Sequence, residues 1–104
     1  MKIIPNCPIE TALMFLGDRV KIMIVGYLLK ESLRPSQLKV KIGFISKNSL
    51  NNKLKELESL GVVKRTVFEA VPPRVEYSLT ELGKSFNEII SSMEEWGENY
   101  KKSM

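Results

Sequence analysis

The chain contains no histidine and a single cysteine, Cys7. Without imidazole there is no ordinary general base at neutral pH. A zinc site of Cys and His ligands has no donors, and one thiol cannot close a disulfide within the chain. No glycine-rich phosphate loop is present, and no Ser or Cys has an evident base beside it. The longest apolar run, residues 22–29, is interrupted by Gly26. It falls far short of the roughly 20 residues that span a bilayer. The N-terminus lacks the charged-then-apolar pattern of a secretory signal. These absences point away from an enzyme, a metal or cofactor carrier and a membrane protein. They make the cytoplasm the expected compartment.

What is present is basic and unevenly so. The 104 residues suffice for one small domain, expected over 1–104, with little core to spare. Lys and Arg number 16 against 12 acids, a net of +4. Residues 19–74 hold 12 of those cations against 4 acids, whereas residues 75–104 hold 3 Lys against 6 Glu. A localised basic block is the electrostatic footprint of polyanion binding, although a solvated lysine-rich surface has the same composition.

Periodicity and punctuation divide the chain into short elements. Residues 1–6 read as an arm. Cys7-Pro8 opens a first helix, with Pro in the first helical position and Ile9, Leu13 and Leu16 on one face. Gly17-Asp18 ends it. Residues 20–29 form an apolar helix expected at the centre of the core. Leu33-Arg34 is an extended step before Pro35. Ser36 is placed to cap a brief helix over 37–41, and Gly43-Phe44-Ile45 makes a turn. Ser46 caps the next helix, which carries Leu50, Leu54, Leu57 and Leu60 inward and stops at Gly61. Two strands, 62–68 and 74–79, are joined by a tip containing Pro72-Pro73, which suits exposed, unpaired backbone. Thr80 caps a last helix expected to run unbroken from 81 to about 100. Along it Leu82, Phe86, Ile89, Met93, Trp96 and Tyr100 are spaced four, three, four, three, four. That heptad seam is either a core stripe or, as the stripe's length and aromatic content favour, a seam shared with a second copy.

A short helix, a turn, a polar-faced helix and a proline-tipped hairpin form the layout of a winged helix-turn-helix. The expected class is α+β, mainly α, with dimerisation helices at 7–16 and 80–100, the helix-turn-helix at 36–60 and the wing at 62–79. The partner this implies is double-stranded DNA. Ser46, Lys47, Asn48, Ser49, Asn51, Asn52 and Lys53 begin the polar helix. Asn pairs with the adenine edge in the major groove, Lys with guanine, and Ser with either. Asn is a poor helix former, so three on one face need a reason. Ser36, Gln37, Lys39, Lys41, Lys64, Arg65 and Arg74 complete the candidate set; Lys39, Lys41, Lys53, Lys64, Arg65 and Arg74 are the expected phosphate contacts, which supply affinity without sequence information. Ile9, Leu13 and the six seam residues are the candidate dimer interface.

Cys7 stands at the start of a helix, where partial positive charge favours an anionic group. It is either a reactive thiol or an inert one filling an apolar gap beside Ile4 and Ile9. The residues alone leave both open.

The sequence resembles the HxlR family of transcription regulators, relatives of MarR-type winged helices, from Cys7 to about Tyr100. The resemblance rests on Cys7-Pro-Ile-Glu, Gly17-Asp-Arg-Val-Lys-Ile, Leu33-Arg34 with Ser36-Gln-Leu, Ile45-Ser46 with Leu54-Lys-Glu-Leu-Glu, and Gly61-Val-Val-Lys-Arg. Its most specific stretch is Val71-Pro-Pro-Arg-Val-Glu-Tyr-Ser-Leu-Thr-Glu-Leu-Gly, and Glu95-Trp-Gly closes it. Val20 stands where the family usually has Trp, and Pro35 where it often has Phe. The resemblance implies a homodimer on a palindromic operator. It also implies a thiol response at Cys7, through the Cys7 of a second copy or a small thiol, since no other cysteine is present. Neither the effector nor the operator is legible. Two rival readings stand beside this one: a winged-helix protein-interaction module without specific DNA binding, and a thiol enzyme using Cys7, which lacks a base.

Overall fold

The apolar run in the first third of the sequence becomes the helix around which the others are laid. In the computed structural model, which describes residues 4–104, the order is α1 Pro8–Leu16, α2 Arg19–Leu28, α3 Pro35–Ile42, α4 Lys47–Ser59, β1 Val63–Phe68, β2 Arg74–Leu79, α5 Glu81–Lys84 and α6 Asn87–Lys102. Half of the arm read at residues 1–6 lies outside the described residues. α2 packs against α1, α3, α4, β2 and α6. Its Ile24 and Val25 are fully buried with Leu38 of α3, Leu50, Leu54 and Leu57 of α4, and Val62. The leucines of α4 recur every three or four residues, so one face enters this core and the opposite face is left to water.

The fold is a winged helix-turn-helix. Gly43, at φ +84°, turns the chain between α3 and α4, and Gly61, at φ +77°, ends α4. Both angles lie in the left-handed region that suits glycine. β1 and β2 pair antiparallel from Val63 opposite Leu79 to Phe68 opposite Arg74. Leu33 adds a one-residue third strand: its N–H donates to Tyr77 O at 3.1 Å, and Tyr77 N–H donates back at 2.8 Å. This pins the wing to the segment entering the helix-turn-helix.

Two local expectations are corrected. The cap of α3 is not Ser36. The helix starts earlier, with Pro35 as its first residue, and the Arg34 N–H donates to Gln37 Oε1 at 2.8 Å. Proline's fixed φ suits that first position. The last helix is also not continuous. Ser85 N–H reaches the carbonyls of Glu81 and Leu82, and Phe86 N–H reaches Gly83 O at 3.2 Å, a tightened turn between α5 and α6. Phe86 then enters the core with Ile90, four residues on, and touches Phe15 of α1 with ring centroids 5.8 Å apart. The heptad seam is thereby split: Phe86 belongs to the chain's own core, whereas Leu82, Ile89, Met93, Trp96 and Tyr100 are exposed.

Candidate nucleic-acid interface

α4 is built to present a polar face. Ser46 caps it, its Oγ accepting from the Ser49 N–H at 3.1 Å. With Leu50, Leu54 and Leu57 inward, 100° steps put Asn48, Asn52, Lys55 and Ser59 on the outer face, and all four are exposed. Lys47 and Ser49 are also exposed, at the first turn. Asn51 is half-buried on the flank that Lys47 begins. The hydrogen bond that makes Ser46 a cap leaves its hydroxyl proton available to a ligand.

Beside that flank runs a groove lined by Arg34, Ser36, Lys47, Pro72, Pro73 and Arg74. Three elements remote in sequence thus converge: the start of α3, the start of α4 and the wing tip. Arg34, Lys47 and Arg74 give the groove three cations. Arg74 is held by Glu76 Oε2 at 3.1 Å, and its guanidinium lies 4.7 Å from the Phe68 ring centroid. Sequence reasoning missed Arg34. Its position just before Pro35 was the available signal, because that step places its side chain at the helix entrance.

The other predicted positions separate. Ser36, Gln37 and Lys39 are exposed on α3, with Gln37's oxygen engaged by the Arg34 backbone. Lys41 lies 5.7 Å from the Tyr27 ring centroid, and Tyr27 Oη donates to Lys41 O. Arg65 is exposed opposite Tyr77, a phenol whose pKa is pushed up mainly by burial. Lys64 instead faces a hollow shared with Lys30 and Lys84, away from the groove.

Lys53 stands apart from the other cations of α4. Its Nζ is 2.5 Å from Asp18 Oδ2, on the α2 side of α4, and both side chains are half-buried. Hydrogen bonding to Lys53 is the main cause holding the Asp18 carboxyl below its usual range, and the same bond raises Lys53. The pair directs this ammonium toward α2 and away from the outer face of α4, and the expected outcome is no phosphate contact. Lys53→Met therefore leaves the slope of log affinity against log salt unchanged in a duplex-binding titration. A slope lower by about one would return Lys53 to the phosphate set.

The remaining candidates lie on α1 and α6. Cys7 is the N-cap of α1, exposed, with Pro8 next to it. Ile4 and Ile9 are exposed too, so within one chain they form no buried gap for the thiol. Ile9 and Leu13 of α1 and Ile89, Met93, Trp96 and Tyr100 of α6 are 44–71% exposed. The Trp96 and Tyr100 rings stack at 5.4 Å, nearly parallel. Among the described residues no group of acidic or thiol side chains could hold a metal, and no helix is long and apolar enough to cross a membrane.

Known proteins resemble this chain in sequence and share its fold. The HxlR-like helix-turn-helix pattern matches residues 15–104. The HTH-type transcriptional regulator YdeP of Bacillus subtilis is 39% identical over 96 residues, 92% of this chain and 75% of that protein. An HTH-type transcriptional regulator of Methanothermobacter thermautotrophicus is 40% identical over 94 residues, 90% of this chain and 72% of that protein. The redox regulator HypR in its oxidized form superposes with a TM-score of 0.85 at 36% identity, covering 89% of this chain and 96% of that one. With the groove, the wing and the polar helix in place, the chain belongs to the HxlR-like helix-turn-helix family of transcription regulators.

Proposed function

We propose that this protein is a homodimer that binds a palindromic operator in double-stranded DNA, with α4 in the major groove and the wing beside it. The observation that carries this reading is the convergence of Arg34, Lys47 and Arg74 beside a solvent-facing Asn48–Asn52 surface. The cations neutralise phosphates and set position, while the amides read base edges. Bare apolar faces on α1 and α6 supply the contact between copies, since such faces are uncommon on monomers. Two α4 helices related by a two-fold axis would then meet successive major grooves about 34 Å apart.

We further infer that Cys7 answers oxidants or electrophiles. It is the only thiol, exposed at a helix N-terminus. HypR, a redox regulator, has this fold. Two-electron oxidation by a peroxide would join the Cys7 thiols of two copies, or Cys7 and a small thiol, as a disulfide. The protein-interaction reading gains no observation of its own.

Fluorescence anisotropy tests the DNA reading. The duplex upstream of the protein's own gene is compared with random duplex across a salt series. Tight, salt-dependent preference for the upstream DNA is expected. Asn52→Ala should weaken binding to that DNA by about tenfold, within the 1–3 kcal/mol range of a base contact, and leave random duplex unchanged. Equal losses on both duplexes would remove Asn52 from base reading. No binding to either at low salt would put the protein-interaction module ahead.

A further inference from the structure

The first turn of α2 carries three charged side chains, and each grips the helix-turn-helix. Asp18 pairs with Lys53 of α4. Lys21 Nζ lies 2.6 Å from Glu56 Oε2, also on α4. The Arg19 guanidinium sits 4.2 Å from the ring centroid of Phe44, in the turn between α3 and α4. Asp18 is the hub: its Oδ1 also caps α2, accepting from the N–H groups of Val20 at 2.9 Å and Lys21 at 3.1 Å.

We propose that Asp18 is a positioning residue for DNA reading, fixing the register of α4 on α2 through Lys53. The proposal rests on the DNA-binding reading and asks what holds the reading helix at one setting. The close-packed leucine face of α4 sets its place in the core, but a small roll about the helix axis changes apolar contact less than it changes directional contacts. The ion pairs are directional. On α2 the order is acid at 18 and base at 21; on α4 it is base at 53 and acid at 56. A slip of one helical turn in one direction sets Asp18 against Glu56. A slip in the other sets Lys21 against Lys53. Both alternatives put like charges together, so only the observed register satisfies both pairs. Such pairs add little stability at a partly exposed site, but they discriminate between settings of a helix whose tip must meet base edges to within a fraction of an ångström.

The test uses duplexes selected by the wild-type protein from a randomised pool, with an unselected duplex as control. Lys53→Met removes the pair without touching the α2 cap. Asp18→Asn removes the charge and keeps a good cap, since Asn caps as well as Asp. Each should lower the ratio of selected to control affinity about fivefold, the equivalent of one partly screened ion pair. The double variant should fall no further, because both remove one interaction. Lys53→Arg should retain the ratio. An unchanged ratio in Lys53→Met, or a double variant that loses the product of the two, overturns the proposal. So does an equal loss on both duplexes. If the wild type enriches no sequence, the DNA-reading function itself fails and takes this proposal with it. The wild-type arm alone separates that case from the others.

Discussion

Trp96→Glu leaves the chain folded and separates the copies. Within one chain Trp96 is 70% exposed, and its one aromatic contact is Tyr100, one turn along α6. Only the first part of α6 is tied to the core, through Phe86 and Ile90. Beyond Ile90, Met93 edges a hollow beside α2, and Met93, Trp96 and Tyr100 are all more than half exposed. An exposed substitution there changes monomer stability by roughly half a kcal/mol or less. In a dimer sealed by this face the same change buries a carboxylate in place of an indole. Losing a buried tryptophan at an interface centre costs on the order of 2–4 kcal/mol, and an unpaired buried charge adds to it. Sedimentation should show wild-type dimers and variant monomers, with the monomer's circular dichroism preserved. Affinity for a two-half-site operator should drop by about a hundredfold, because each monomer must then bind its half-site without the advantage of linkage. Binding to random duplex, set by the cations of each chain, should fall far less. A wild type that sediments as a monomer, or a variant that remains dimeric, would move the contact between copies elsewhere.

The sequence disclosed the helix-turn-helix because its signals are local. Ser46 as a cap, the four-three spacing of Leu50, Leu54 and Leu57, Gly61 as a stop and two prolines at the wing tip each carry their own stereochemistry. It misplaced features that depend on tertiary geometry. Nothing local distinguishes Lys53 from Lys47 on α4, yet one meets a carboxylate from α2 and the other lines an open groove. Asp18 read as the end of one helix when it caps the next and holds a third. The seam at the C-terminus had the right period, but period alone does not say which partner a face has. Phe86 and Ile90 turn inward because the Ser85–Phe86 turn reorients α6, and the sequence marks that turn only through Gly83.

Gly83→Ala is the substitution expected to damage the molecule most. A Cβ at this position would stand 2.3 Å from Val62 O and 2.9 Å from Leu79 Cδ2. The first obstacle is backbone and cannot swing aside. That carbonyl already accepts from the Thr80 N–H at 3.0 Å; the Thr80 hydroxyl donates to the adjacent Gly61 O, with Val62 O 3.0 Å away, and its Oγ1 accepts from the Gly83 N–H at 3.2 Å. Thr80 and Gly83 therefore lock the start of α5 onto the residue where α4 hands over to β1. The stretch Thr80-Glu-Leu-Gly83 thus has a mechanical reason: a cap, a polar residue in the first turn, an apolar side chain and a place for bare backbone. Relief of the clash requires α5 to move away from β1, breaking the Thr80 bonds and tilting both the wing and α6. Overpacking of this kind costs about 3 kcal/mol, and a domain of this size has only about 5–15 kcal/mol in total. The expected result is a drop in Tm of roughly 10 °C or more with a lower denaturant midpoint. Ser85→Ala, which removes one exposed hydroxyl two residues away, should leave Tm within about 2 °C. If Gly83→Ala melts with the wild type, the close approach of α5 to Val62 is not what joins the wing to the C-terminal helix.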